Sequence, residues 1–418
     1  MEPTSRLRLE NIQALRAIAA FLVLGLHTFN RAVAYGGGPS VAQIKTVMHA
    51  LGPGGVDIFF VISGFIIVWV AHRAVGDSRP FSRSGLKAAL TFAFHRAARI
   101  LPLFWIALAA MVILALIYGR SGPWHRLLAE PSGLLLLTAP AAHPVSWTLV
   151  FEMHFYAVAA FLILFAGRWV AIALGVWGLA HVALVMILMS ASAAPYSFFQ
   201  PISIDFVLGV ALAVSMIRTS SRTAPLVVWG AAAASVGGAV LWSGRMDYSE
   251  QLTRVLVWGV PTMGVLYGLI LLETVRGVVL PAWLRHCGDW SYSLYLWHLP
   301  VLIALGMMVQ ALGRTGTFAG GAGYVMLGVV LCLVVSALSH RFVESPICDG
   351  RPARGFRRRR RSTTPRSPPA RRRRSSSSGG AMAEHCGQLR MDHAIAQVDG
   401  DRLALGRQRS QRLPAGLR

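Results

Sequence analysis

Apolar runs of about 20 residues recur along the chain up to residue 340, with short polar connections between them. A run of that length, wound as an α-helix, crosses the hydrocarbon core of a bilayer. The pattern therefore predicts ten transmembrane helices, of which the shortest is also compatible with a half-helix or a re-entrant segment. The predicted ranges are 11–30, 52–72, 99–118, 147–166, 169–190, 203–217 (the shortest), 225–243, 252–272, 291–312 and 322–340.

The composition supports this pattern and excludes a soluble domain. Apolar residues make up 55% of the chain, charged residues only 14%, and the mean hydropathy is +0.56. Such values are typical of a polytopic membrane protein in contact with lipid. The formal charge is +23, but 19 of the 40 Lys and Arg residues follow His340. The positive charge therefore belongs largely to the C-terminal segment, and we expect no nucleic-acid partner.

Basic residues in the connections predict how the bundle lies in the membrane, because cytoplasmic loops are enriched in Lys and Arg. If the ten spans alternate, 13 basic residues fall on one side and seven on the other. The richer side holds the N-terminus and, with an even number of spans, the C-terminus as well. The first run lacks a signal-peptide cleavage site, so we read it as a retained helix. We therefore predict an all-α transmembrane domain over 11–346 with both termini in the cytoplasm.

The composition changes after Pro346 to a segment rich in Arg, Ser, Pro and Gly. It lacks the apolar residues that would form a core, so residues 350–418 are predicted to be a disordered tail. Two interpretations of this tail stay open. Its arginines would be attracted to anionic lipid head groups, or it is a dispensable extension.

The first predicted helix carries two ionisable side chains, Arg16 and His27, inside an apolar run. Eleven residues separate them by about 16 Å along the helix axis but only about 20° around it, so both lie on one face. Ionisable groups in a membrane helix indicate a functional site that faces a polar interior. The alternative is that each side chain extends to its nearer membrane surface.

With the predicted topology, intramembrane polar residues fall into two layers. The outer layer contains His27, Asp57, Glu152 and Asp205, which are one imidazole and three carboxylates. A carboxylate beside a histidine stabilises the imidazolium, so this group suits removal of a proton from a hydroxyl. We predict His27, with Glu152 or Asp57, as the catalytic base and Asp205 on the acceptor side.

The inner layer is basic and aromatic. It contains Arg16, the pair Arg96 and Arg99 at the predicted cytoplasmic end of the third helix, and Tyr295 with His298. Arginines three residues apart share one helix face and can bind a phosphate or pyrophosphate through paired hydrogen bonds. The alternative is a plain cytoplasmic anchor. The four cysteines show no metal-ligand spacing, so we expect free thiols and no structural metal.

Several ordered motifs resemble the membrane-bound acyltransferase family three, and within it the exopolysaccharide acetyltransferases. They are LRAIAAFLVLGLH, GGVDIFFVISGFII, RAAR followed by ILPLFW, SWTLVFEMHFY, GDWSYSLYLWH and FVESP. They occur in the family's order and cover residues 11–346. The Arg-rich tail is not a feature of this family.

The resemblance implies transfer of an acetyl group from cytoplasmic acetyl-CoA to a sugar hydroxyl of a lipid-linked or exported glycan. It ties Arg16 and His27 to activity and Arg96 and Arg99 to the donor. It also implies a multi-pass protein of the bacterial cytoplasmic membrane, with acetyl-CoA as a substrate and no permanently bound cofactor. Direct transfer is favoured over an acyl-enzyme, because no Ser or Cys stands out as a nucleophile.

Two other functions remain open on the residues alone. A bundle with intramembrane charges is also typical of an exporter of glycans or small molecules. A membrane assembly factor without catalysis would use the same charges only for packing. Acetyl ester formed on a sugar would distinguish an acyltransferase from both.

Overall fold

The computed structural model describes residues 9–36, 38–119, 125, 128–139, 142–190, 198–218, 251–313, 315–316 and 318–349, and these are α-helical with short 3-10 and π-helical turns. Among these described residues, seven segments are long and apolar enough to cross a membrane. The protein is therefore a multi-pass helical membrane protein. The predicted span 225–243 and the predicted tail 350–418 lie outside the described residues.

Each predicted span that the structure describes contains a helix, although the bounds differ and some helices match no predicted span. Two π-helical turns, Val255–Gly259 and His340–Glu344, each join one helix to the next. The helices are α1 (Glu10–Ala32), α2 (Gly38–Leu51), α3 (Gly54–Val75), α4 (Arg83–Ile117), α5 (Trp147–Ala166), α6 (Val170–Ser190), α7 (Ile204–Arg218), α8 (Gln251–Arg254), α9 (Val260–Arg276), α10 (Ala282–Asp289), α11 (Ser291–Ala311), α12 (Phe318–Ser339) and α13 (Ser345–Asp349).

Helix α4 differs from its predicted range, because it begins 16 residues before the expected start at residue 99. Its N-cap is Ser82, whose hydroxyl accepts a 3.0 Å hydrogen bond from the backbone N–H of Gly85. From Arg83 to Arg96 the helix rises about 20 Å. Arg96 and Arg99 therefore lie in the middle of a long helix. The expectation that they mark the end of this helix is wrong.

Helix α1 is central in the bundle and packs against α2, α3, α9, α10, α11 and α12. Its first turn is held by Glu273 of α9, whose carboxylate accepts hydrogen bonds from the backbone N–H groups of Glu10 (2.7 Å) and Asn11 (2.8 Å). The Asn11 amide donates to the backbone oxygens of Leu269 and Val278. Free N–H groups at a buried helix start are costly, so these bonds fix where α1 begins.

Two glycines allow α3 and α7 to pack backbone against backbone. A side chain at Gly64 would overlap the backbone of Phe206, and one at Gly209 would overlap the backbone of Val61. At both glycines the close neighbour is the backbone of the other helix. Such contacts between small residues are a common way for membrane helices to associate.

Candidate active site

A cavity lined by apolar, polar and charged side chains lies among α1, α3, α4, α5 and α11, and we call it the central cavity. Its volume is about 80 Å³, whereas a single water needs roughly 10–15 Å³. It has room for a few waters or a short acyl group, but not for a nucleotide. Its charged and polar lining residues are Arg16, Ser63, Arg96, Arg99, Thr148, Glu152, Tyr156, Ser291, Tyr292 and Tyr295.

The central cavity carries more positive than negative charge. Arg16, Arg96 and Arg99 line it with one acidic residue, Glu152, among the described residues of its wall. Arg96 is only 6% exposed, and its guanidinium lies 5.7 Å from the ring centres of both Phe92 and Tyr156. Its Nε is buried without a hydrogen-bond partner. Buried cationic groups need a counter-ion, so this wall favours an anionic ligand.

Glu152 belongs to this arginine-rich wall, and its predicted position beside His27 in the outer layer is wrong. Its Oε1 accepts hydrogen bonds from the hydroxyls of Tyr156 (2.5 Å) and Ser63 (3.5 Å). The difference has a physical cause in helix α4. Because α4 extends through Arg96 as one continuous helix, Arg96 and Arg99 line the same cavity as Glu152.

Tyr295 lines the same cavity, on α11. Its hydroxyl lies 2.7 Å from the Thr148 hydroxyl and donates a 2.9 Å hydrogen bond to the backbone oxygen of Val145. Tyr292, one turn earlier, donates to the backbone oxygen of Ile100 at 2.7 Å. These bonds hold α11 against α4 and the start of α5.

His27 pairs with His298, and their ring centres are 5.0 Å apart. The sequence predicts His298 in the inner layer and His27 in the outer one, so the division into layers does not hold for this pair. The Nδ1 of His298 lies 3.2 Å from the backbone oxygen of Leu294. We therefore assign its proton to Nδ1, which leaves the buried Nε2, unpartnered in the structure, as a hydrogen-bond acceptor.

Asp57 is fully buried and forms an ion pair with Arg254, so it is not the partner of His27 that the sequence predicts. Arg254 Nε lies 3.0 and 2.9 Å from the two Asp57 oxygens, and Nη2 lies 2.8 Å from Oδ2. Arg254 also donates to the backbone oxygen of Pro53 at 2.8 Å. Asp205 of α7 lies close to Asp57, and both of its carboxylate oxygens are buried without a hydrogen-bond partner among the described residues. This cluster connects α3, α7 and α8 and is distinct from the central cavity.

Two charged residues that the sequence analysis did not single out form buried contacts in the structure. One is Arg254, which the topology treats as a loop charge. The other is Glu344, which is 6% exposed, accepts a 2.7 Å hydrogen bond from Ser293, and lies 3.2 Å from His340 Nδ1. Its place in the FVESP motif was the available signal, whereas Arg254 had none in the sequence.

The Acyltransferase domain family matches residues 9–340 of the chain. The chain belongs to this acyltransferase family. It is 31% identical over 315 residues to the exopolysaccharide production protein ExoZ of Rhizobium meliloti (strain 1021), covering 68% of the chain and 92% of that protein. It is 22% identical over 357 residues to the putative peptidoglycan O-acetyltransferase YrhL of Bacillus subtilis (strain 168), covering 72% and 51%. No solved structure matches the chain.

The resemblance that the motifs predict is therefore confirmed, and the protein is a membrane O-acyltransferase. The region that matches the family, residues 9–340, contains both the central cavity and the pair of histidines. The first provides buried cations around a small cavity, and the second provides an imidazole nitrogen able to accept a proton.

Proposed function

We propose that the protein transfers an acetyl group from cytoplasmic acetyl-CoA to a sugar hydroxyl of an exported or lipid-linked polysaccharide. The bacterial cytoplasmic membrane is the proposed site of this reaction. The observation that carries the proposal is the excess of arginine over glutamate in the central cavity, which favours an anionic donor. The name of the relative ExoZ supports a polysaccharide acceptor.

The donor side of the reaction belongs to Arg16, Arg96 and Arg99. Guanidinium groups bind phosphate oxygens through paired, charge-assisted hydrogen bonds, and burial strengthens such bonds. Because the cavity is too small for a nucleotide, we assign to these arginines the phosphate oxygens at its mouth, with only the acyl arm inside the cavity. Glu152, held by Tyr156 and Ser63, balances part of this positive charge.

The acceptor side belongs to His27 and His298. In the proposed step, an imidazole nitrogen takes the proton of the sugar hydroxyl while the oxygen attacks the thioester carbon. The carbon–sulfur bond breaks, an ester forms on the sugar, and the thiol leaves with a proton. His298 Nε2 is the nitrogen available as an acceptor, so we assign the pair of histidines, rather than a histidine and a carboxylate, to this step.

Proteoliposomes containing the purified protein, labelled acetyl-CoA and glycan from the producing cell test this proposal. We expect labelled acetyl ester on the glycan with the wild-type protein and loss of it with His27→Ala at equal protein level. Substitution of the exposed His286, which lies outside the central cavity and the pair of histidines, is the matched control. Movement of intact substrate without ester formation would support the exporter instead.

The acceptor sugar can be identified in the cell. Mass spectrometry and NMR of surface and secreted glycans, with and without the gene, should show one missing ester. Identical glycans in both strains would contradict a polysaccharide acceptor.

A further inference from the structure

A second cavity, of about 380 Å³, opens between the end of α3 and the first turns of α4, and we call it the basic cleft. Four of its polar residues follow one another on α4 at steps of three or four residues, so they form one helix face. Among the described residues that line this cleft, none is acidic. Its polar lining is Arg73, Ser78, Ser84, Lys87, Thr91, His95 and Arg96.

The basic cleft and the central cavity share one wall residue, Arg96. Arg73 and Lys87 are exposed, whereas Arg96 is almost completely buried. Twelve residues separate Ser84 from Arg96, which is about 18 Å along α4. An exposed basic entrance thus adjoins, at a buried arginine, the small cavity inside the bundle. A ligand that occupies both must have an anionic end and a long, narrow arm.

The chemistry of the cleft fits a phosphorylated nucleotide. Arg, Lys and hydroxyl side chains are the usual ligands of phosphate oxygens. The cleft also has an apolar wall, formed by Val70, Ala74, Ala88 and Phe92, against which a base can pack. Its volume is several times that of the central cavity, so it can hold a group that the central cavity cannot.

We infer that the basic cleft binds the phosphorylated nucleotide end of the acyl donor, and that the acyl arm passes Arg96 into the central cavity. This inference rests on the proposed function, because it requires a donor of the acyl-CoA type. Anionic lipid head groups offer the same phosphate chemistry at a membrane surface. The shared Arg96 favours the donor, since a lipid head group at the rim would not need a connection to the central cavity.

Binding of coenzyme A to the full-length protein in phosphatidylcholine nanodiscs tests the inference. The test variant is Arg73→Gln with Lys87→Gln, which removes two exposed charges from the cleft. The control is Arg79→Gln with Arg83→Gln, which removes two exposed charges near the cleft that are not part of its lining. Calorimetric titration gives the affinities, and thermal unfolding checks that each variant is folded.

We expect coenzyme A to bind the test variant at least about tenfold more weakly than the control, the effect of losing one charge-assisted hydrogen bond. Adenosine 3′,5′-bisphosphate should compete with coenzyme A, and pantetheine should not. Equal affinities of both variants would overturn the inference and leave the proposed donor intact. No binding of coenzyme A to the wild type would reject the proposed donor itself.

A second experiment distinguishes binding of the donor in the cleft from binding of lipid. Native mass spectrometry in phosphatidylglycerol nanodiscs measures lipid retained by each variant. Lipid lost selectively from the test variant, with unchanged affinity for coenzyme A, would assign the cleft to lipid and overturn the inference.

Discussion

Substitution of Asp57 tests whether this residue has a structural role, through its ion pair with Arg254, or the catalytic role that the sequence predicts. Asp57→Asn removes the charge facing Arg254 and preserves the side-chain volume. Three contacts of 2.8–3.0 Å are weakened, and Asp57 is fully buried. Breaking a buried ion pair from one side costs about 3–5 kcal/mol. Because Asp205 keeps a carboxyl group near the pair, we expect the lower end of this range.

The assay combines thermal unfolding of the purified protein in detergent with acetyl transfer per folded molecule. Arg254→Gln should lower the melting temperature about as much as Asp57→Asn. The double variant should recover part of the loss, because removing both partners leaves no unpaired charge. Asp77→Asn, which changes an exposed carboxylate between α3 and α4, is the matched control. Abolished acetyl transfer by Asp57→Asn at an unchanged melting temperature would refute the structural role.

The remaining predictions concern the histidine pair, the start of α1 and the tail. His298→Ala should lower kcat by about 10²–10⁴-fold at normal protein level, because this is the usual effect of losing a general base. His286→Ala is the control. An unchanged kcat would exclude His298 from the proton transfer. Glu273→Ala should lower the free energy of unfolding by roughly 1–2 kcal/mol, because two N–H groups at the start of α1 lose their acceptor. Glu130→Ala, at an exposed position, is the control and should leave the free energy of unfolding unchanged. Truncation after Gly350 should leave insertion and activity intact, since the tail lacks a core-forming composition; reduced turnover of normally inserted protein would contradict this.

The positions of the helices could be predicted from the sequence because the bilayer sets the length of an apolar run. Where the structure describes the predicted spans, each contains a helix, and 203–217 corresponds to a short one, α7. The start of α4 could not be predicted this way. Its first four turns are more polar than a membrane span, and a hydropathy window assigns them to a loop.

By itself, the sequence determined the class of protein, the ordered family motifs and the ionisable residues that sit in apolar helices. Each of these follows from local composition and spacing. Which of those residues meet was decided only by the tertiary structure. Glu152 lies with the arginines, His298 with His27, and Asp57 with Arg254. The physical reason is that depth and facing depend on where neighbouring helices begin and how closely they pack, and no single helix encodes the position of its neighbours.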